Sequence, residues 1–307
     1  MGKIFIVGVG RSGTSLLQSM LSSHSQIVFP AESAFIRRYL VGKKLEKLAK
    51  KGGDVTEVLE NDKKISNIMG ELPTEFNNPE GLDLKVYDKI VDFSLKKSGK
   101  LIFGDKDPRL VEYLPLIHKC FSDAFVIHIL RDPRDVLVSK KKALWSSSRS
   151  DIHYAFSNSI QIEEAERHGA RLFGNRYLQV RYEDLISDAE SELKKILKFL
   201  NLEYESGCLN FSEAARKLVR PDELQWKSEI MGELLTSNKN KWERELNPLD
   251  IAFCEQACSR AMELGGYKKS KYKAQLKLIE RISIYIRFWL IEMAKPLYRL
   301  YRSIKAW

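Results

Sequence analysis

The sequence predicts an α/β fold: a central parallel sheet with helices on both faces and a P-loop-like anion-binding turn. Three observations carry this. Short apolar segments rich in β-formers alternate with longer helical patterns, the first of them runs into a glycine turn that opens a helix, and 44% of the 307 residues are hydrophobic. That is enough apolar material for one large core.

The strands fall at 4–9, 26–29, 100–103, 124–130 and 177–181, and the segments that follow them, 15–22, 110–121, 135–144 and 190–200, read as helices. This is the βαβ pattern, whose strands are buried on both faces and therefore continuously apolar. Between about 34 and 98 the pattern turns helical and polar, with a basic run at Lys43, Lys44, Lys47, Lys50 and Lys51. Such a run is usually a solvated helix face, and an insertion after the second strand is also a place to build an acceptor pocket. A boundary near Gly265 and Gly266 divides a body, residues 1–267, from a tail, 268–307.

Composition narrows the classes. Cys120, Cys208, Cys254 and Cys258 give no disulfide framework and no paired metal spacing, so a reducing compartment is expected. The apolar run 4–9 leads straight into the glycine turn, which predicts a first strand and not a signal peptide or a spanning helix. The tail holds eleven Lys or Arg against Glu280 and Glu292, a surplus of nine in a chain whose net charge is +10. The body is nearly neutral, and no nucleic-acid partner is expected.

Gly8-Val9-Gly10-Arg11-Ser12-Gly13-Thr14-Ser15 follows a strand and opens a helix, so its backbone N–H groups form an anion cradle. Three readings compete. Gly8, Gly10 and Gly13 satisfy the dinucleotide pattern, with Glu32 where a ribose contact belongs. Gly8 and Gly13-Thr14-Ser15 frame a Walker A turn with Thr14 in place of the lysine, which removes the side chain that reaches the β- and γ-phosphates. Arg11, Ser12, Gly13, Thr14 and Ser15 supply one guanidinium and three hydroxyls, which suits a 5′-phosphosulfate held without a metal. Taken alone, the turn leaves a nicotinamide dinucleotide and a phosphosulfate both open.

A second segment shifts the weight. The strand ending at Leu130 delivers Arg131, Asp132 and Pro133 form an N-cap and first-turn pair, and Ser139 lies one to two turns into the helix. Arg131 and Ser139 can therefore meet one phosphate above the sheet. The donor PAPS (3′-phosphoadenosine-5′-phosphosulfate) has two separated anionic groups, whereas a nicotinamide dinucleotide needs one pyrophosphate cradle.

With these motifs the chain resembles the PAPS-dependent sulfotransferases across nearly all of residues 3–267. The glycine turn is similar to their phosphosulfate-binding loop, and Arg131 with Ser139 to their 3′-phosphate site. Phe103-Gly104-Asp105-Lys106-Asp107-Pro108 resembles their lysine loop, although many members carry Thr where Asp107 stands. The stretch from Val180 through Tyr182 to Leu185 resembles the segment beside the adenine, and Lys239-Asn240-Lys241-Trp242 the closing segment. The branch that includes tyrosylprotein sulfotransferases is nearest. The resemblance implies catalytic roles for Arg11 and for Glu32 in Pro30-Ala31-Glu32-Ser33. Unlike in that branch, no N-terminal anchor and no disulfides are expected here. A cytoplasmic location and a carbohydrate, lipid or small-metabolite acceptor are therefore expected over a protein tyrosine.

Glu32 is the candidate general base, a role worth about 10²–10⁴ in rate, with Arg11 and Lys106 as fixed positive charge on the leaving phosphate and the migrating group. Lys106 has an alternative in a pair with Asp105 or Asp107. The histidines are scattered, and His128, alternating along a buried strand, reads as a core residue. No metal is expected, because no ligand cluster appears and a sulfuryl group carries less charge than a phosphoryl group. In the tail, Ile279, Ile282, Ile286, Leu290, Met293 and Leu297 recur at three- and four-residue spacing, with Lys277, Arg281, Lys295, Arg299 and Arg302 on other faces. That is a basic amphipathic helix with a kink expected at Pro296. It would rest on an anionic membrane surface, with Trp289 and Trp307 at headgroup depth, or pack on the body or a second subunit. Both readings stay open, as do the acceptor and the oligomeric state.

Overall fold

The computed structural model describes residues 2–69, 78–143 and 149–306. Five parallel strands, β1 (Ile4–Gly8), β2 (Ile27–Val28), β3 (Ile102–Lys106), β4 (Phe125–Leu130) and β5 (Tyr177–Arg181), lie in the order β2-β3-β1-β4-β5. The period-two alternation of β1 sorts its side chains to two cores. Phe5 and Val7 join Phe103, Val126, Tyr87 and Phe121 on one face, while Ile4 and Ile6 join Ile127, Ile129, Leu17, Leu21, Leu193 and Leu197 on the other. His128 is a core residue, as the alternation implies. The Tyr177 hydroxyl lies 2.8 Å from its Nδ1, and burial lowers its pKa to about 4.

Differences from the expected boundaries have local causes. β3 extends to Lys106 because Gly104, Asp105 and Lys106 pair in register with Ile4, Phe5 and Ile6 at the centre of the sheet. The buried Asp105 carboxyl there accepts a 3.0 Å hydrogen bond from the Tyr87 hydroxyl, and burial pushes its pKa up to about 7. The helix expected at 110–121 is a 3₁₀ segment, Pro108–Tyr113, followed by an α-helix, Leu114–Cys120, and Asp107 caps the first by accepting from the Arg109 N–H at 3.1 Å. The helix expected at 135–144 starts earlier and spans Pro133–Lys142, with Asp132 as its N-cap; Leu144 lies outside the described residues. The insertion is helical as expected, with a π-helical turn at Ile36–Leu40, short helices Lys44–Lys50, Val55–Glu60 and Lys63–Met69, and a longer one at Leu82–Ser98. Lys43, Lys44, Lys47, Lys50 and Lys51 are solvent-exposed.

The helix Asp151–Phe173, which no motif announced, supports the tail. The C-terminal helix, Leu278–Ala306, contains Pro296 and lays Ile284 and Ile291 against the body. Its cations do not all face outward. Lys295 is buried and pairs with Glu163 at 2.5 Å, Arg299 reaches Glu164 at 2.9 Å and Glu163 at 2.5 Å, and Arg302 lies 3.5 Å from Glu112. The Tyr298 hydroxyl donates to Glu112 at 2.6 Å. Three body carboxylates recruit these side chains because a buried carboxylate left unpaired costs several kcal/mol.

Truncation after Tyr267 should therefore lower thermal stability substantially, by about 3–5 kcal/mol, since it uncovers apolar surface and removes Tyr298 and Arg302 from Glu112 and Arg299 from Glu164. Calorimetric melting of the truncated and intact chains checks this. Equal midpoints would mean that the helix contributes nothing to the body.

Candidate active site

The elements that end at one edge of the sheet build the site. β1 finishes at Gly8, where a Cβ would lie 2.6 Å from the Ile129 carbonyl oxygen, so the chain passes hard against β4. Gly13 has a φ of +100°, and a Cβ there would fall 2.2 Å from the Tyr182 ring. Between them Arg11 takes a left-handed φ of 79°, which costs a non-glycine residue about 1–2 kcal/mol. No side chain caps the helix Thr14–Ser22. Its first-turn N–H groups face the loop with the positive end of the helix dipole. Ser12 Oγ is buried without a hydrogen-bond partner, Thr14 is buried and Ser15 half-buried, and a Cβ on Gly10 would meet open space. An orphaned hydroxyl, uncapped amides and an opening at Gly10 fit a phosphate-bearing guest.

Arg131, one residue beyond β4, ties this loop to the other side of the site. Its guanidinium stacks 4.2 Å from the Tyr182 ring centroid and donates to the Arg11 carbonyl oxygen at 3.2 Å and to Asn238 at 2.9 Å (O) and 3.2 Å (Oδ1). Arg131 Nε is buried without a partner. Arg11 Nε in turn donates to Ser139 Oγ at 3.0 Å. Arg11, Arg131, Ser139 and Tyr182 thus form one cluster, in which Ser139 is bonded to Arg11. Burial, and then the charge of Arg131, lower the pKa of Arg11. The closing segment is pinned by Asp135, which accepts from the N–H groups of Asn240 at 2.7 Å and Trp242 at 3.0 Å. Lys241 sits at the rim, 3.9 Å from Glu229.

A second cluster surrounds Glu32. Lys106, with 1% of its side chain exposed, forms an ion pair with Glu32 Oε2; Lys227 Nζ lies 3.7 Å from the same oxygen, and Arg220 donates to the Glu32 carbonyl at 2.8 Å. Lys106 chooses Glu32 over its neighbours because both are taken: Asp105 by Tyr87 and Asp107 by Arg37 at 2.9 Å. Burial raises the pKa of Glu32, but the charges of Lys106 and Lys227 outweigh it and hold the carboxyl down at about 2. Lys227 also pairs with Glu223 at 2.8 Å, and burial followed by the charge of Lys106 lowers its own pKa to about 8.

Arg220, Lys227, Glu229 and Asn238 belong to a segment of short helical turns and loops beyond residue 206, and no motif singled them out. The segment joins the clusters, since Lys227 touches Glu32 while Glu229 lies by Lys241 and 3.4 Å from Asn238. The strand order also bears on the dinucleotide reading. In a dinucleotide-binding sheet the second strand adjoins the first, which lets its acidic residue meet the ribose. Here β3 intervenes, so the residue after β2 lands beside Lys106, and Arg131 touches the glycine loop.

Comparison with known proteins agrees with this geometry. The family model described as "Sulfotransferase family" matches residues 3–206. An uncharacterised protein of Aquifex aeolicus (strain VF5) is 25% identical over 257 residues, which cover 78% of this chain and 30% of that protein. Protein-tyrosine sulfotransferase 1 of Danio rerio is 26% identical over 230 residues, 71% of this chain and 58% of its own length. The chain therefore spans less than two thirds of each of these relatives. The sulfotransferase domain of the Synechococcus PCC 7002 olefin synthase has the same fold, with a TM-score of 0.61 and 21% identity over 87% of this chain and 94% of that one.

The electrostatics around Glu32 give a direct test. Lys106→Met keeps the volume but leaves only Lys227 near the carboxylate, so the pKa of Glu32 should climb from about 2 toward the ordinary 4.5. A carbon-detected NMR titration of the glutamate carboxyls reads the change. In the wild type, a folded-state pKa this far below the unfolded value makes Glu32 stabilising above about pH 4.5, a contribution lost as pH falls toward 2. Chemical denaturation at pH 6 and pH 3 should accordingly show a smaller acid loss in Lys106→Met, and an unchanged loss would contradict the pairing.

Proposed function

The chain belongs to the sulfotransferase family, and from that premise we propose that it transfers a sulfuryl group from PAPS to a hydroxyl or amine acceptor, a carbohydrate, lipid or small metabolite. The observation that carries the reading is the fusion of two anion sites, in which Arg131, just beyond β4, bonds to Arg11 of the β1 loop while Arg11 reaches Ser139. A donor with two anionic groups on one nucleoside matches two adjacent sites, and the orphaned Ser12 Oγ and Arg131 Nε each mark an unmet polar group within them.

In this reading Gly10, Arg11, Ser12, Gly13, Thr14 and Ser15 hold the 5′-phosphosulfate, Arg131 and Ser139 the 3′-phosphate, and Tyr182 and Lys241 flank the nucleoside. PAPS, when bound, supplies the sulfuryl group and departs as PAP. Glu32 accepts the proton of the acceptor hydroxyl, yet a carboxylate held near pKa 2 is a weak base. Lys106 resolves this by turning from Glu32 toward negative charge in the loop. The same movement stabilises that charge and releases the carboxylate to a higher pKa. Arg11 remains fixed positive charge beside the leaving oxygen, and Lys227 keeps Glu32 oriented. Free thiols at Cys120, Cys208, Cys254 and Cys258 support a reducing, cytoplasmic setting.

PAP should bind by calorimetry without added Mg²⁺, and Arg131→Ala should weaken it by about 1.5–3 kcal/mol. AMP, which lacks the 3′-phosphate, should lose little affinity to the same change, a control that separates a lost contact from a disturbed loop. Binding of NAD in preference to PAP would sink the assignment.

Glu32→Gln keeps shape and hydrogen-bonding capacity but cannot take the proton, so with a competent acceptor turnover should fall about 10²-fold or more while PAP affinity stays within a few fold. Near-normal turnover would remove Glu32 from the base role.

A further inference from the structure

The C-terminal helix turns two unlike faces to its surroundings. Its inner face is charged as well as apolar, with Lys295 and Arg302 buried against body glutamates beside Ile284 and Ile291. Its outer face carries a continuous apolar stripe, with Ile282, Trp289, Leu290, Met293, Leu297 and Ile304 between 48% and 73% exposed. At 29 residues the helix runs about 43 Å, so the stripe is long. A patch of this kind on a soluble body marks a surface that something covers.

Charge decides what covers it. Exposed Lys268, Lys269, Lys271 and Lys277 crowd one end of the stripe and exposed Lys305 the other. A second copy of the chain laid along the stripe would set lysines against lysines in either direction: like ends together if parallel, and residues 268–277 against Lys305 if antiparallel. Among the described residues Glu280 and Glu292 are the helix's acids, and both are turned toward its own neighbours, Lys277 N–H at 2.7 Å and Lys295. A partner protein would thus find no carboxylate on the stripe to fix a register. An anionic bilayer needs none, because it meets an apolar stripe with its acyl boundary and lysines at both ends with its headgroups. No helix among the described residues is long and apolar enough to cross a membrane, and the ion pairs to Glu112, Glu163 and Glu164 hold this one flat against the body. We propose that the outer face of the helix Leu278–Ala306 docks the protein, lying parallel to the surface, on an anionic lipid bilayer. The proposal is independent of the donor and the acceptor.

The test is co-sedimentation of the full chain with phosphatidylcholine vesicles, with and without about 30% phosphatidylserine, at low and high salt. The intact chain should bind the phosphatidylserine vesicles strongly at low salt and lose them as salt rises. Reversal of two lysines, Lys269→Glu with Lys277→Glu, should weaken binding by about five-fold or more per lysine. Replacing Trp289, Leu290 and Met293 with Ser should abolish binding while leaving the melting midpoint and PAP affinity unchanged. If that triple variant does not fold, quenching of the intact chain's fluorescence by brominated lipid, reduced in Trp289→Phe, gives the same information. Absence of binding at low salt, binding indifferent to these changes, quenching equal in Trp289→Phe, or a micromolar dimer that the stripe variant dissociates would each overturn the proposal.

Discussion

Two guanidinium groups set at the ends of adjacent strands govern the rest of the site. Arg131 donates to the main chain of Arg11, so the two cations are bound to one another through a carbonyl and not through a carboxylate. Like charges in a half-buried crevice repel, and burial adds to the cost; the lowered pKa of Arg11 expresses both. The strained φ of Arg11, the Gly13 contact with Tyr182 and the stack of Arg131 on that ring all hold this unfavourable pair in place. An anion is what converts it to a favourable arrangement. On the proposed function, the site is preorganised for a ligand with negative charge in two places, and it bears the electrostatic cost before the ligand arrives.

Glu32 and Lys106 complement that arrangement at the next strand. The pair keeps a carboxylate ionised within a few residues of the buried Asp105 and Asp107, whose own pKa values burial raises. In the proposed mechanism Lys106 is shared between Glu32 and an anion in the loop, which would couple the basicity of the carboxylate to occupancy of the neighbouring cradle. Lys227 makes the coupling partial: with it in place Glu32 is never wholly without a cation, and the carboxylate stays oriented whichever way Lys106 faces.

How far this could be read from sequence depended on whether the controlling contacts were local. β4 was legible because a strand covered on both faces is continuously apolar, and the cap at Asp132 and Pro133 fixed where the following helix begins. The glycine loop was legible from its residue types and its place between a strand and a helix, although Gly8 answers to Ile129 and Gly13 to Tyr182, both remote in sequence. The second half of β3 was not, because the partners that permit Asp105 and Lys106 in a buried strand are Tyr87 and Glu32, each remote in sequence. Lys227, Arg220 and Asn238 were invisible on the same principle. They sit in short turns without periodicity and gain their meaning only from Glu32 and Arg131.

The tail shows the converse, a periodicity that was correct and an orientation that it did not determine. Spacing alone divides the C-terminal helix into an apolar stripe and basic faces, and the ordinary expectation turns the apolar stripe inward. Glu112, Glu163 and Glu164 reverse that preference in part. Three carboxylates on the supporting elements attract Lys295, Arg299 and Arg302, and once these are paired the inner face is filled by charge and by two isoleucines while most of the apolar residues remain outside. The tail's surplus of positive charge is thus only partly available to solvent. What remains is concentrated in the lysines at its two ends, so the outward surface is apolar along its length and cationic at its limits, a distribution set by the body's glutamates as much as by the helix itself.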